Sequence, residues 1–300
     1  MTTVHSEPRF DVYRTITDKI VHAIETGVDP CTMPWHGSGG QITRPANAAT
    51  GAAYRGVNVI ALWAEAVTRG YRSGLWASYR QWQHLGAQVR AGERGATIVF
   101  FKEHEPEDIG QANEEIDRPK LMARASRVFG AEQVEGWTPP RVELPSRVQA
   151  IAAVERFVVA TKADIRLGLQ RACYHGNGDY IEMPSPESFC GTKTSSPTES
   201  YYAVLLHELS HWTGAEHRLG RQLGKRFGEA AYAMEELIAE LGAAFLCADL
   251  GVTCEPRPDH AAYIQSWLHM LQNDRKAIFT AASRASQVVD FLSDLTKGKS

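Results

Sequence analysis

What the chain lacks narrows its class first. No apolar run approaches the roughly 20 residues needed to cross a bilayer, which argues against a membrane protein. The opening Met1-Thr2-Thr3-Val4-His5-Ser6-Glu7 has no basic region followed by an apolar stretch, so no secretory signal is expected and a cytoplasmic location is. Cysteine is sparse and odd in number. The five thiols, at 31, 173, 190, 247 and 254, are scattered and form no C-x-x-C, which speaks for reduced thiols against a disulfide framework or a cysteine zinc site. Cys173 and Cys190 are the one pair considered for transient bonding. Internal repeats and low-complexity tracts are absent. Neither charge sign dominates at a net of −3, and 43% hydrophobic with 22% charged residues is the composition of a globular chain. Three hundred residues suffice for two domains and a sizeable core.

The small net charge conceals an asymmetry. Residues 1–103 hold 11 Lys and Arg against 8 Asp and Glu, while the rest holds 21 against 27. Nine of those eleven cations are arginine, and four of the seven tryptophans fall in the same third. Such a bias points to a separate partner for the N-terminal part. Phe10, Tyr13, Ile16, Ile20 and Ile24 recur at helical spacing and predict a helix over 10–26, stopped by Gly27. A second helix is expected near 58–68, and Val89-Arg90-Ala91-Gly92-Glu93-Arg94-Gly95 reads as a turn into a strand at 96–101. Aromatic faces stack on unpaired bases while interleaved arginines hold the backbone, a pattern suited to single-stranded nucleic acid. Trp35, Tyr54, Arg55, Asn58, Trp76, Arg80, Trp82 and Arg90 are the candidate contacts. The same pattern also fits a plain core, with Trp63, Trp76 and Trp82 inside.

Residues 104–149 are richer in Glu, Pro and Arg, with one short apolar patch at Val128-Phe129 and linker signals at Thr138-Pro139-Pro140 and Pro145. A helix at about 146–161 should open the second part.

That part carries the sharpest chemistry. His207-Glu208-Leu209-Ser210-His211 sets two histidines four apart, so both imidazoles leave one helical face and reach one metal ion. Glu208 lands beside that ion, where it can serve as general base on a water. Ser196-Pro197-Thr198-Glu199 supplies an N-cap, a first-turn proline and a capping-box glutamate, and Gly214 supplies the stop. Catalytic zinc takes three protein ligands and leaves one position open. His217 is one candidate third ligand, ten residues beyond His207 with Gly214 between, as in H-E-x-x-H-x-x-G-x-x-H. The other is the run Glu235-Glu236-Leu237-Ile238-Ala239-Glu240, on a helix expected over 228–250 and ended by Gly251. Glu236 and Glu240 share a face. Glu236 is favoured as ligand, with Glu240 as the carboxylate orienting a histidine, and Glu229 is a weaker option. Ala243 and Ala244 are small enough to bring that helix close. His260 and Tyr263 are candidate oxyanion donors by residue type alone. Upstream, 170–174 and 179–183 flank His175-Gly176-Asn177-Gly178 and read as a hairpin, whose strand could pair with an extended peptide.

These segments together resemble the ArdC-type antirestriction proteins of conjugative plasmids. The likeness rests on Pro34-Trp35, Tyr54-Arg55-Gly56-Val57-Asn58, Trp76, Gln81-Trp82 and Val89-Arg90-Ala91-Gly92-Glu93. It continues through Arg127-Val128-Phe129 and Gln133-Val134-Glu135-Gly136, which match a family strand, and through Tyr201-Tyr202, Leu205 to Gly214 and Glu235 to Leu246. It implies an α+β chain of two domains: an α+β single-stranded-DNA-binding domain over 1–137, a linker over 138–148, and a zincin-like metallopeptidase domain over 149–300. It further implies protection of incoming plasmid DNA from the recipient's restriction system during conjugation. A glutamate of the 235–240 run is implied as third ligand over His217. Zn2+ is the expected cofactor, with Mn2+ or another divalent ion as the alternative. The expected partners are single-stranded DNA and a protein on that DNA or in the host restriction system, and no membrane. Two competing readings stand beside it: a single-strand-coating protein whose metal site is structural or vestigial, and a small-molecule metalloenzyme.

Overall fold

The computed structural model describes residues 11–25, 43–104, 120–138, 146–168, 171–191, 195–221, 228–253 and 260–298. Helix α1 (Val12–Glu25) buries Ile16, Ile20 and Ile24, the stripe set by their spacing. Strand β1 (Ala46–Asn47) leads to α2 (Val57–Arg69), which is closed by left-handed Gly70. Next come β2 (Leu75–Ala77), α3 (Tyr79–His84) and β3 (Gln88–Val89), with Ser78 and Gln81 forming a capping box on α3. The turn at 90–95 delivers β4 (Ala96–His104), as expected. It pairs antiparallel with β5 (Lys120–Gly130) over nine residue pairs, from Ala96 opposite Val128 to His104 opposite Lys120. Only the Val128-Phe129 end of β5 is apolar enough to read as a strand from residues alone. The rest mixes Lys120, Arg124 and Arg127 with Leu121, Met122 and small residues, of which Ala123 and Ala125 pack partly buried against the core. Strands order as β1-β2-β5-β4, and β3 pairs with β6 (Val134–Glu135).

The second part opens at α4 (Arg147–Thr161), capped by Ser146. A small sheet follows in the order β7-β9-β8, built from β7 (Asp164–Leu167), β8 (Cys173–His175) and β9 (Tyr180–Met183). The anticipated hairpin is β8–β9; β7 adds to it in parallel. Then come α5 (Pro197–Trp212), α6 (Glu229–Leu250), α7 (His260–Asn273) and α8 (Ala277–Thr296). The cap of α5 forms as read: Ser196 Oγ accepts from Glu199 N at 3.2 Å and Glu199 Oε2 accepts from Ser196 N at 2.9 Å. Such caps stabilise a helix by about 1 kcal/mol. Gly251, at φ 73°, ends α6.

Helix α6 is central. It is buried almost all round from Ala233 to Cys247 and packs on α5 and α8. Gly242 lets its neighbours come close: a Cβ there would stand 2.8 Å from Ser210 Oγ and 3.4 Å from Val288 Cγ1. The N-terminal part seats on the far end of the same helix. Trp63 packs on Phe245 at 5.7 Å, Arg44 lies 4.5 Å over the Phe245 ring and binds Asp249 at 3.1 Å, and Gly56 N donates to Ser286 Oγ at 3.0 Å. One apolar core therefore runs from α1 and α2 through α6 to α8. Among the described residues no helix is long and apolar enough to cross a membrane. Cys173, Cys190 and Cys247 are free thiols; Cys31 and Cys254 lie outside the described residues.

Candidate metal centre

Helix α5 presents His207 and His211 from one face, as four-residue spacing requires, and α6 crosses it with Glu235, Glu236 and Glu240. The two Nε2 atoms stand 3.0 Å apart. Glu236 Oε2 is 3.6 Å from His207 Nε2, and Glu236 Oε1 is 3.6 Å from His211 Nε2. A tetrahedral zinc site with bonds of about 2.0–2.1 Å has donor-to-donor edges of about 3.3–3.4 Å. The observed edges straddle that value, so two imidazoles and one carboxylate converge on a point with room for a small divalent cation.

The rest of the shell is arranged around these three. Glu240 Oε2 faces His207 Nδ1 at 3.5 Å, and Glu235 Oε1 faces His211 Nδ1 at 3.1 Å. Both imidazoles turn Nε2 to the centre; His211 Nδ1 hydrogen-bonds Glu235, the pairing that fixes ring orientation and raises ligand basicity, whereas His207 Nδ1 makes no hydrogen bond and has Glu240 only as a charged neighbour. Glu235 is held in turn by Arg221, whose Nε and Nη2 reach its two oxygens at 2.9 Å each. Arg221 also donates to Ser210 O and Thr213 Oγ1 on α5. Burial alone would lower the pKa of His211, but the hydrogen bonds it donates to Glu235 and Glu236 outweigh this and raise it to about 10. Burial pushes the Glu236 carboxyl up, and the two imidazoles overcome this and hold it far below the usual carboxylate range. Four buried carboxylates, Glu208, Glu235, Glu236 and Glu240, surround the two imidazoles, a setting that suits a dication.

Glu208 is buried beside the pair, and its Oε2 accepts from the backbone N of Tyr174 on β8 at 2.9 Å. The edge strand of the small sheet thus touches the candidate base directly. A strap keeps that strand in place. Tyr174 Oη donates to Asp179 Oδ1 at 2.9 Å, Arg218 clasps Asp179 and reaches Tyr174 Oη at 3.1 Å, and its guanidinium lies 3.8 Å over Trp212 at the end of α5.

His207, His211, Glu208, Glu236 and Glu240 come together where the spacing put them. His217 does not. Its side chain is 65% exposed and faces Asp179 at 3.4 Å and Arg218 at 2.7 Å, because the chain after Gly214 turns toward the strap and away from the metal ligands. His260 and Tyr263 begin α7, and their side chains lie outside those described. Glu235, Arg221 and the Tyr174 amide were not anticipated. The adjacent acids Glu235-Glu236 carried a signal for the first; nothing in the local sequence marks a backbone amide contributed from a distant strand.

The expected stacking residues fare differently, and the reason is burial. Trp76 and Trp82 are 2% and 0% exposed, and Tyr54 is buried with its hydroxyl near Trp76 O. Trp82 Nε1 donates to Phe129 O at 2.9 Å and its ring packs on Trp137. These rings fill cores and have no free face for a base. Asn58 closes a two-way bond with the Val99 backbone at 2.8 Å, and Arg55 forks onto Asp290 of α8. Arg80 and Arg90 are exposed, the latter tied to Glu93 at 2.8 Å and Glu132 O at 2.6 Å. Trp35 lies outside the described residues. The exposed large aromatics among the described residues are instead Tyr79, Phe100 and Phe101.

Comparison with known proteins follows the same division. Residues 10–129 match the model of the N-terminal domain of anti-restriction factor ArdC, and residues 152–284 match that of the zincin-like metallopeptidases. The fold and centre thus define a two-domain protein with a zincin-like C-terminal part. It is similar to a crystal structure of the antirestriction protein ArdC from the R388 plasmid in metal-free form. That likeness has a TM-score of 0.78 and 38% identity, covering 97% of this chain and 100% of that one. The Mn(II)-bound structure of the same protein matches with a TM-score of 0.75 and 37% identity, covering 96% and 98%. Protein y4eC of Sinorhizobium fredii is 46% identical over 94% of this chain and 91% of its own length. The DNA primase TraC of Escherichia coli is 33% identical over 96% of this chain, which spans 27% of the primase. The chain belongs to the ArdC-type antirestriction family.

Proposed function

We propose that this protein binds single-stranded DNA through its N-terminal part and carries a zinc-dependent metallopeptidase centre. Its role is to protect incoming plasmid DNA from host restriction during conjugation. The observation that carries the reading is the convergence of His207, His211 and Glu236, with Glu208 beside them. Family membership supports the antirestriction role. The Mn(II)-bound ArdC structure supports a divalent ion, and the likeness to TraC, a DNA primase, supports a DNA partner.

His207, His211 and Glu236 would hold the ion, leaving a position open for water. The chemistry a bound divalent ion supplies is polarisation of a carbonyl and acidification of the attacking water. Glu208 takes the proton of that water, its carboxylate aimed by the Tyr174 amide. Glu235 keeps the His211 imidazole in the ligating tautomer. An extended peptide lying along β8 would pass the candidate base.

Metal analysis of purified wild type against His207→Ala tests the centre; one divalent ion per chain, lost in the variant, is expected. Wild type and Glu208→Gln are then incubated with single-stranded DNA, zinc or manganese, and a panel of DNA-bound proteins. Cleavage by wild type alone supports the peptidase. Full antirestriction by Glu208→Gln would favour a DNA-coating protein with a structural metal.

A further inference from the structure

The expected stacking residues of the N-terminal part fill cores, and a cleft beside them offers other rings. The start of α3, β3, the turn after it and the end of β5 enclose about 660 Å³, lined by Tyr79, Gln88, Arg90, Gly92, Phe129 and Glu135. That size lies within the range of small-molecule pockets, about 300–1,000 Å³. Tyr79 is 43% exposed and Phe129 is half-buried. Their rings meet edge-on, with centroids 6.4 Å apart and planes at 71°.

Two rings near a right angle make a corner for a third. A flat aromatic lying on one ring turns its edge to the other, and offset stacking and edge-on contact are both favoured geometries. The corner is held before anything enters. Gln88 Nε2 donates to Tyr79 Oη at 2.9 Å and to Val89 O at 3.0 Å, which fixes the phenol and uses both amide hydrogens. Trp82 Nε1 donates to the Phe129 carbonyl at 2.9 Å and pins that residue from the core side. Side chains already ordered lose little freedom on binding. Gly92, at φ 82° in the turn, puts no side chain over the cleft.

The charges of the lining say what enters. Arg90 is bound to Glu93 at 2.8 Å and to Glu132 O at 2.6 Å, and Glu93 also accepts from Gln133 Nε2 at 2.8 Å. Glu135 adds a second carboxylate to the wall. A phosphate would meet acid there, with the lining arginine already paired. A neutral base would meet two aromatic rings and acceptors for its N–H groups. Exposed cations stand one residue outside instead. Arg80 follows Tyr79 and Arg94 follows Glu93, and neither is tied to a carboxylate among the described residues. The other exposed aromatics, Phe100 and Phe101, are consecutive on β4, so their rings leave opposite faces and share no wall.

We infer that the Tyr79–Phe129 cleft takes one unpaired base of single-stranded DNA, with the flanking phosphates on Arg80 and Arg94. The inference rests on the reading of the N-terminal part as a single-strand binder and assigns it a base pocket.

The test measures anisotropy of a short labelled single-stranded oligonucleotide of mixed sequence, on the full chain. At fixed salt, Tyr79→Ala should bind about 5- to 150-fold more weakly, the range for loss of one base stack. Tyr79→Phe keeps the ring and should stay within about threefold of wild type. Phe100→Ala and Phe101→Ala should bind like wild type. Across a salt series, Arg80→Ala and Arg94→Ala should each lower the slope by about one, and Tyr79→Ala should leave it unchanged. The same oligonucleotide carrying photoreactive halogenated bases should crosslink to a peptide that contains Tyr79 or Phe129. All altered side chains are exposed, so the variants should fold, and thermal unfolding checks this. If wild type binds and Tyr79→Ala binds equally well, the pocket is refuted and the single-strand reading stands. Loss in Phe100→Ala or Phe101→Ala alone, or crosslinks confined to other peptides, refutes it in the same way. If wild type binds no single strand, both readings fall together.

Discussion

Replacing Glu235 by Gln separates two jobs that one carboxylate performs. Glu235 lies between His211 and Arg221, and both its side chain and that of Arg221 are 5% exposed. In Glu235→Gln the Arg221 guanidinium keeps Ser210 O and Thr213 Oγ1 but loses its charged partner. Leaving a buried charge uncompensated costs about 3–5 kcal/mol. At about 2–4 °C per kcal/mol for a chain of this order of size, the melting temperature should fall by on the order of 10 °C. Independently, His211 Nδ1 trades a carboxylate for an amide, which should weaken metal binding about 10- to 100-fold. Thermal unfolding in chelator reads the first effect, and competition with a chromophoric chelator reads the second. The double variant Glu235→Gln/Arg221→Met removes the stranded charge. It should recover most of the melting temperature and none of the metal affinity. If Glu235→Gln melts within a degree or two of wild type and binds metal as tightly, the reading of Glu235 as the hinge between Arg221 and His211 is refuted.

Three further outcomes follow from the packing and the strap. Gly242→Ala sets a methyl 2.8 Å from Ser210 Oγ and should cost about 1–3 kcal/mol in urea titration, with part regained in Gly242→Ala/Ser210→Ala; an unchanged midpoint would remove the close helix crossing from the account. Trp82→Ala should cost about 3–5 kcal/mol of stability while the folded fraction binds DNA unchanged; selective loss of binding with stability intact would return Trp82 to the interface. The Arg218 guanidinium beside Asp179 holds its carboxyl below the usual range. A carboxyl depressed in the folded state contributes stability that is present above its unfolded pKa, about 3.9, and is lost as pH falls through the folded value. Wild type should therefore lose more stability than Asp179→Asn on going from about pH 5 to pH 3, and parallel melting curves over that range would contradict it. Asn tolerates the left-handed backbone at this position, φ 51°, so the substitution adds no backbone strain.

The metal helix was legible because its information is local. Ser196 and Glu199 form the cap, Pro197 starts the turn, and His207 and His211 fall on one face from spacing alone. The same holds for α6 and its stop at Gly251. The ribbon strand β5 was visible from residues only at its apolar end, because farther along it meets the core through Ala123 and Ala125, residues that do not favour strands. The aromatic residues were harder still. Tyr79, with Phe129 at its edge, and Trp82 sit three residues apart beside similar cations, yet one is open and the other sealed against Trp137.

Helix boundaries, the two histidines on one face and the neighbouring Glu208 were thus determined by residues within a few positions of one another. Hydrogen-bonding reach and the 3.6-residue turn leave little freedom at that range. The placing of His217 away from the histidine pair, the pairing of Glu235 with Arg221, the Tyr174 amide on Glu208 and the burial of Trp76 and Trp82 were decided only by tertiary structure. Each depends on which distant segment lies opposite. A side chain's exposure and its charge partner belong to the packed surface it meets, and residue order does not encode that surface locally.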